Sequence, residues 1–271
     1  MPRFDEHFRP GAYRSNSGPL MEKTTPTQPR PTTDMPLFYR EPQPLEPTRH
    51  AKAGLVEMRS LRFAADTNSI PLAADEFYTA QGHYPIVFTA TKPASPVVVV
   101  GLANEKNLFI DGDGAWKTGA YIPAYVRRYP FVFIRSADQQ QFILAIDEAA
   151  EAYSSSGGKT PLFDGTEPAQ STKNALQFCV EFQRQHDMAQ AFAAAAEEQG
   201  LLVDYRADVR RGGQVMTLSG FRVIDEAKFN ALADEVFLDW RKRGFVALAY
   251  AQLMSMRRWE ALAALTEAPR G

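Results

Sequence analysis

A single cysteine, Cys179, occurs in 271 residues, so no disulfide can form within the chain. Small secreted folds lean on paired cysteines, and that architecture is excluded. Long apolar runs are missing too. Nothing approaches the roughly 18 consecutive apolar residues of a membrane span. The nearest run, residues 245–256, is only helix length and contains Gln252 and Ser255. The opening MPRFDEHFRPGAYRSNSGPL sets charges and prolines where a secretory signal needs unbroken apolar sequence. Charge of one sign is also lacking: 30 Lys and Arg against 32 Asp and Glu leave a net −2 and a pI near 6.1. No global field is present to collect nucleic acid or anionic lipid. The expected setting is cytoplasmic and reducing, with no nucleic-acid partner and no membrane insertion.

What the chain does have is core material, with 45% hydrophobic residues, near the globular norm. Residues 1–34 are rich in Pro, Thr and charge without apolar period, which predicts a disordered tail. Met35 then reads as a fresh start. From Leu55 the pattern turns to short β-branched and aromatic runs: a loosely alternating VEMRSLRF, then YPIVFTA, VVVVGL, NLFID, FVFIR and QFILAID. Turn formers separate the later ones. VVVV, apolar on both faces, predicts a covered central strand. ADEFYTAQ predicts a short helix closed by Gly82, and PAYVRRY a helical turn.

Residues 151–170 read as a loop. Residues 171–199 form the clearest helix, with Ala175, Leu176, Cys179, Phe182, Ala189, Phe192, Ala193 and Ala196 on one stripe. A hairpin around Arg211-Gly212-Gly213 follows, then three helices. Asp225 and Asp234 are the expected caps of the first two, Gly244 closes the second, and the third, FVALAYAQLMSM, is apolar nearly all round and expected buried. The fold class is therefore α+β: an antiparallel β-meander in the N-terminal half packed with a helical C-terminal half containing a β-hairpin. A single domain over 35–265 is expected, β-rich over 35–150 and helix-rich over 171–265.

Motifs of established chemistry fail on inspection. GGKT, ending at Thr160, lacks the first glycine of a phosphate loop, since Tyr153 stands there, and Pro161 blocks the helix that should follow. DGDG at 111–114 begins like a calcium loop, but Ala115 and Trp116 replace the next ligand and glycine, so a tight turn is expected. His7, His50, His83 and His186 show no metal-ligand spacing, and no metal or cofactor is expected. Cys179, more than a turn inside its helix, reads as a core hydrophobe and not a nucleophile. No GxSxG elbow occurs.

One segment stands apart. Trp116, Tyr121, Tyr125 and Tyr129 bracket Arg127 and Arg128, a mixture suited to anionic, planar or protein recognition. A helical turn would point the two arginines about 100° apart and put Tyr125 and Tyr129 on one face. These six are the candidate binding residues, for a protein partner or a small acidic ligand. The bland alternative is a loop cap packed over the sheet.

Around this segment the chain resembles the SapC family of Gram-negative bacteria. The resemblance rests on HYPIVFT, VGLANEKNLFIDGDGAW, YIPAYVRRYPFVF, LAIDEAA, PLFDGTEPAQST, GFRVIDEAKFNAL and GFVALAYAQLMSMRRWEAL, with YIPAYVRRYPF the most specific. LAYAQL departs from it where a histidine is expected near Gln252. The resemblance implies surface-layer gene clusters and neighbouring TonB-dependent receptors, halogenase-like and cupin-like proteins. It supplies no catalytic residues, although some members carry a peptidase label. The expected function is a non-catalytic accessory or binding protein of an envelope or uptake system. The alternative is a hydrolase- or peptidase-like enzyme, or one modifying a small molecule, assembled from distant residues such as His83, Arg127, Arg128 and Asp147.

Overall fold

The β-branched runs bounded by turn formers become strands, and every pairing among the described residues is antiparallel. The structure is a computed structural model describing residues 35–136, 141–211 and 214–266. The expected tail and the Gly212-Gly213 turn lie outside the described residues. In chain order the strands are β1 (Pro42–Pro44), β2 (Gly54–Leu55), β3 (Ser69–Pro71), β4 (Ile86–Thr89), β5 (Pro96–Val99), β6 (Phe131–Arg135) and β7 (Phe142–Asp147). They continue with β8 (Tyr153–Ser154), β9 (Thr160–Pro161), β10 (Phe163–Asp164), β11 (Glu167–Pro168), β12 (Leu202–Arg211) and β13 (Gln214–Ile224). The helices are α1 (Pro47–His50), α2 (Phe77–Ala80), α3 (Ala124–Arg127), α4 (Gln170–Glu198), α5 (Glu226–Asn230), α6 (Asp234–Arg243), α7 (Phe245–Ser255) and α8 (Arg258–Ala264). The class is α+β, with β structure dominating the N-terminal half and helices the C-terminal half.

The chain divides into two compact units interleaved in sequence. Of the described residues, unit 1 takes Arg59–Arg127 and all from Val180 onward; unit 2 takes all up to Met58 and Arg128–Cys179. The β-rich runs are thus shared out: β4 and β5 belong to one unit, β6 and β7 to the other.

Unit 1 is built on a five-stranded sheet ordered β12-β13-β4-β5-β3. Val97, Val98 and Val99 of β5 are buried between two neighbours, as a strand apolar on both faces requires. The β12–β13 hairpin carries a register shift between Tyr205 and Ala207, a bulge that bends the ribbon. Phe192 of α4 anchors the helical side, its ring within 5.9 Å of Phe77, Phe88, Trp240 and Phe245. Asp225 caps α5 by accepting from the Lys228 amide at 3.1 Å. Ala233, not Asp234, occupies the cap of α6, and Asp234 lies in the first turn, where its charge still favours the helix dipole. Gly244 ends α6 at φ +79°.

Two expectations for unit 1 fail. NLFID forms only the bridge Ile110–Trp116, because the chain turns back through DGDG before pairing can extend. There Asp111 Oδ1 accepts from the amides of Asp113 and Ala115, the tight turn expected. VEMRSLRF, residues 56–63, begins just after β2 ends and forms no strand, running instead into the 3-10 turn at Arg62–Ala64.

Unit 2 holds the sheets β1-β7-β6 and β8-β2-β9 and the small pair β10–β11. The segment 151–170, read as loop, therefore carries four two-residue strands. GGKT acquires a structural purpose: a Cβ on Gly158 would sit 2.4 Å from the Leu55 carbonyl oxygen, so glycine permits the close approach of β9 to β2. Ala53, Phe131, Ile146, Leu162, Phe163 and Cys179 make the apolar cluster of this unit.

Candidate functional site

The six candidate residues are built from two sets. Trp116, Tyr121, Tyr125 and Arg127 belong to unit 1; Arg128 and Tyr129 belong to unit 2. α3 stops at Arg127, so helical spacing does not relate Tyr125 to Tyr129.

In unit 1 the organiser is Glu76, buried at the end of the 3-10 turn Ala74–Glu76. Its Oε2 accepts from the Ala73 amide at 2.9 Å, and its Oε1 accepts from the Ala124 amide at 2.6 Å and the Tyr121 hydroxyl at 2.9 Å. The Tyr121 hydroxyl in turn accepts from Arg127 Nη2 at 3.1 Å, while Arg127 Nε donates to the Ile122 carbonyl at 3.0 Å. The guanidinium carbon lies 5.7 Å from the Tyr121 ring centre. Trp116 Nε1 donates to the Tyr84 hydroxyl at 3.2 Å, and Tyr84 donates to the Tyr121 carbonyl. Burial pushes the Glu76 carboxyl above its usual range despite three donors, and pushes Tyr121 up to about 12. Tyr125 is buried, its ring edge-on to Phe182 at 5.9 Å. Of these four, Arg127 is the exposed member.

In unit 2 the Arg128 guanidinium lies 5.6 Å from the Tyr39 ring centre. The Tyr129 hydroxyl donates to Asp147 Oδ2 at 3.2 Å, and burial beside that carboxylate raises its pKa. Asp147, fully buried, also accepts from the amides of Arg40, Glu41 and Ala149. It fastens the 39–41 segment to the end of β7. Trp116, Tyr125 and Tyr129 are thus held by packing and internal hydrogen bonds, and Arg127 is the exposed member of the six.

The other singled-out residues have local settings. His83 follows α2 and is half-buried; burial, then Arg258, lowers its pKa. His186 stacks on Phe182 at 5.7 Å. Cys179 is buried, which pushes its thiol up to about 11 and removes nucleophilic character.

Two groups escaped sequence reasoning. Glu76 looked like any helix-face acid, and Ala73 three positions earlier gave no capping-box signature. The second group is Arg49, His50 and Glu148 in unit 2. His50 is wholly buried. Its Nδ1 lies 3.1 Å from both the amide nitrogen and the carbonyl oxygen of Glu46, and its Nε2 donates to the carboxylate oxygen Glu148 Oε1 at 3.1 Å. Arg49 grips the same carboxylate through Nε and Nη2, both at 2.6 Å. Arg49, assisted by His50, holds the Glu148 pKa below the usual range. These partners lie 98 and 99 positions apart in sequence, so no local motif marks them.

α7 corrects a further expectation. Its inner side is buried through Phe245, Leu248, Ala249, Ala251, Gln252 and Ser255. Gln252, where the family resemblance suggests histidine, takes a structural role: it accepts from the Ile224 amide and donates to the Ile86 carbonyl. The outer side is not buried. Ala247 is exposed, Tyr250 is 45% exposed and Met254 60%. α2, which packs against α7, presents Tyr78 at 83%. The helix is apolar all round, yet the unit covers only one side of it.

The fold and these groups define an α+β protein whose arginine–aromatic segment is tied to buried carboxylates. A family model named SapC matches residues 45–262, and the chain belongs to the SapC family. No curated protein and no solved structure matches it. No helix among the described residues is long and apolar enough to cross a membrane.

Proposed function

We propose that the chain is a non-catalytic accessory protein that binds a partner protein, serving an envelope, surface-layer or TonB-dependent uptake system from the cytoplasmic side. The observation that carries this reading is the outward apolar side of α7, with Tyr250 and Met254 in solvent on a helix that has no charged residue. Exposed aromatic and methionine side chains on a rigid helix are the usual anchors of protein contacts. Arg127, exposed and stacked on Tyr121, is placed to add a contact to a partner carboxylate or a small acidic ligand.

The test is co-purification from the native host, followed by reconstitution of the identified partner with the purified chain. Tyr250→Gln combined with Met254→Gln should lose the partner while thermal unfolding stays unchanged. Full retention would remove the α7 face from the interface.

An enzymatic reading draws on one observation, the hydrogen bond of His50 to Glu148. It is weakened by the other ring nitrogen, which is engaged by the Glu46 backbone, and by the complete burial of the ring. A general base needs a nitrogen within reach of substrate.

A further inference from the structure

We infer that the outward face of α7 receives an acidic amphipathic helix of the partner protein; this rests on the binding reading above and adds the partner's chemistry. Ala247, Tyr250 and Met254 are spaced three and four apart, the seam along which one helix packs on another. Half-buried Val246 and Leu253 border that seam. Charge bounds it at both ends. Arg241, Lys242 and Arg243 close α6 just before it, and Arg257 and Arg258 follow it, all five exposed. Residues 239–260 hold these five cations against two carboxylates, Asp239 and Glu260. Asp239 is already paired with Arg243. α7 itself spans about 16 Å at 1.5 Å per residue, so the partner needs about three apolar turns with carboxylates beyond each end.

The same charges argue against other occupants. A symmetric antiparallel contact between two copies would set residues 241–243 of one against 257–258 of the other, and a parallel contact would set each cluster against itself. Both place like charges together, which raises the free energy of the complex. An anionic bilayer would meet the same cations. However, interfacial helices insert broad faces of Trp, Phe and Leu, whereas the fully outward residues here are one Ala, one Tyr and one Met.

The probe is a synthetic fluorescein-labelled 20-residue helix with leucine at the seam positions of three central turns and two glutamates at each end. A sibling carries lysines at the ends instead. Binding to the full chain is read by fluorescence anisotropy at low and high salt. The glutamate probe should bind about tenfold more tightly than the lysine probe, with the preference shrinking at high salt. Arg241→Gln with Arg257→Gln should erase the preference. Tyr250→Gln with Met254→Gln should abolish binding of both probes, with circular dichroism of each variant unchanged. Equal binding of the two probes would overturn the acidic-partner inference while leaving α7 as a partner face. Binding that survives Tyr250→Gln with Met254→Gln would overturn the location. Displacement of the glutamate probe by phosphatidylserine vesicles, bound more tightly than the probe itself, would replace the protein with a membrane. No binding of either probe would also overturn the inference, whereas the binding reading stands or falls separately on the reconstituted native partner.

Discussion

Glu76 in unit 1 and Glu148 in unit 2 each gather donors at short helical turns, but the donors differ in charge. Glu76 receives two backbone amides and a phenol, all neutral. Glu148 receives a guanidinium and an imidazole. Burial raises one carboxyl, and the cation lowers the other. Neutral donors stabilise a buried anion less than they would need to offset its lost hydration, whereas a bidentate arginine beside partial solvent does so readily. Cys179 shows that the contrast does not follow the unit. It lies in unit 2 with Glu148, and burial pushes its thiol up as it pushes Glu76, outweighing the opposing charge of Arg128. A direct cation contact, together with lighter burial, sets Glu148 apart.

The largest test of this comparison is Glu76→Ala, which leaves three donors without their acceptor. Urea denaturation should give a loss on the order of 3 kcal/mol, since each buried unsatisfied group costs about 1–3 kcal/mol. A loss below about 1 kcal/mol would mean that water or a rearranged chain replaces the carboxylate easily.

Charge at the same position is tested by Glu76→Gln. Because the folded pKa is raised, the proton is held in the folded protein above the pH at which the unfolded chain releases it. The stability so contributed is full below the unfolded carboxyl pKa and is lost as pH rises through the folded one. Glutamine does not titrate, so its deficit relative to the parent should be greatest in acid and shrink as pH rises. A deficit growing with pH would show that the three donors outweigh burial, and the contrast with Glu148 would collapse.

Much of the fold was legible because its signals are local. The valine run of β5, the stripe of α4, Asp225 at its cap and Gly244 in the left-handed region each follow from residues within a few positions of one another. The same locality explains the errors. Leu176 fits the α4 stripe but is 43% exposed, because its side of the helix is not covered in the structure. FVALAYAQLMSM is apolar on every side, and periodicity gives no sign of which side a neighbour leaves bare. The arginine–aromatic segment was found by composition, but its division between two units was not, since Arg127 and Arg128 are consecutive. Glu76 and Arg49–His50–Glu148 depend on partners 45 or more positions away and left no trace in spacing.

Cys179 gives a smaller effect. Serine would put a hydroxyl among Phe131, Ile146 and Leu162, costing about 1–2 kcal/mol with no partner assured. In the parent, a thiol pKa near 11 leaves about one thiolate in a thousand at pH 8. Labelling of the native protein by a maleimide should therefore be at least a hundredfold slower than in urea. Comparable rates would mean that Cys179 is reached without unfolding, and that burial is not what holds its proton.

The smallest effect, and the one that separates cation from burial, is expected at Glu148. Its folded pKa is lowered, so its contribution is present above the unfolded carboxyl pKa and is lost as pH falls through the folded value. The pair is partly solvated, with the Arg49 side chain 52% exposed, so solvent screening limits it to about 1 kcal/mol or less. Glu148→Gln keeps an acceptor for one of its two partners and removes the charge. At pH 7 it should cost well under the Glu76→Ala loss, and the deficit should shrink as pH falls past the unfolded carboxyl range and vanish only below the lower folded value, where the parent carboxyl is neutral in both states. Arg49→Met tests the cause. With the guanidinium gone, Glu148→Gln should lose most of its remaining cost at pH 7, and the coupling between the two substitutions should shrink in high salt. If Glu148→Gln costs as much in the Arg49→Met background as in the parent, the carboxylate serves His50 alone. The cation would then not be what sets Glu148 apart from Glu76.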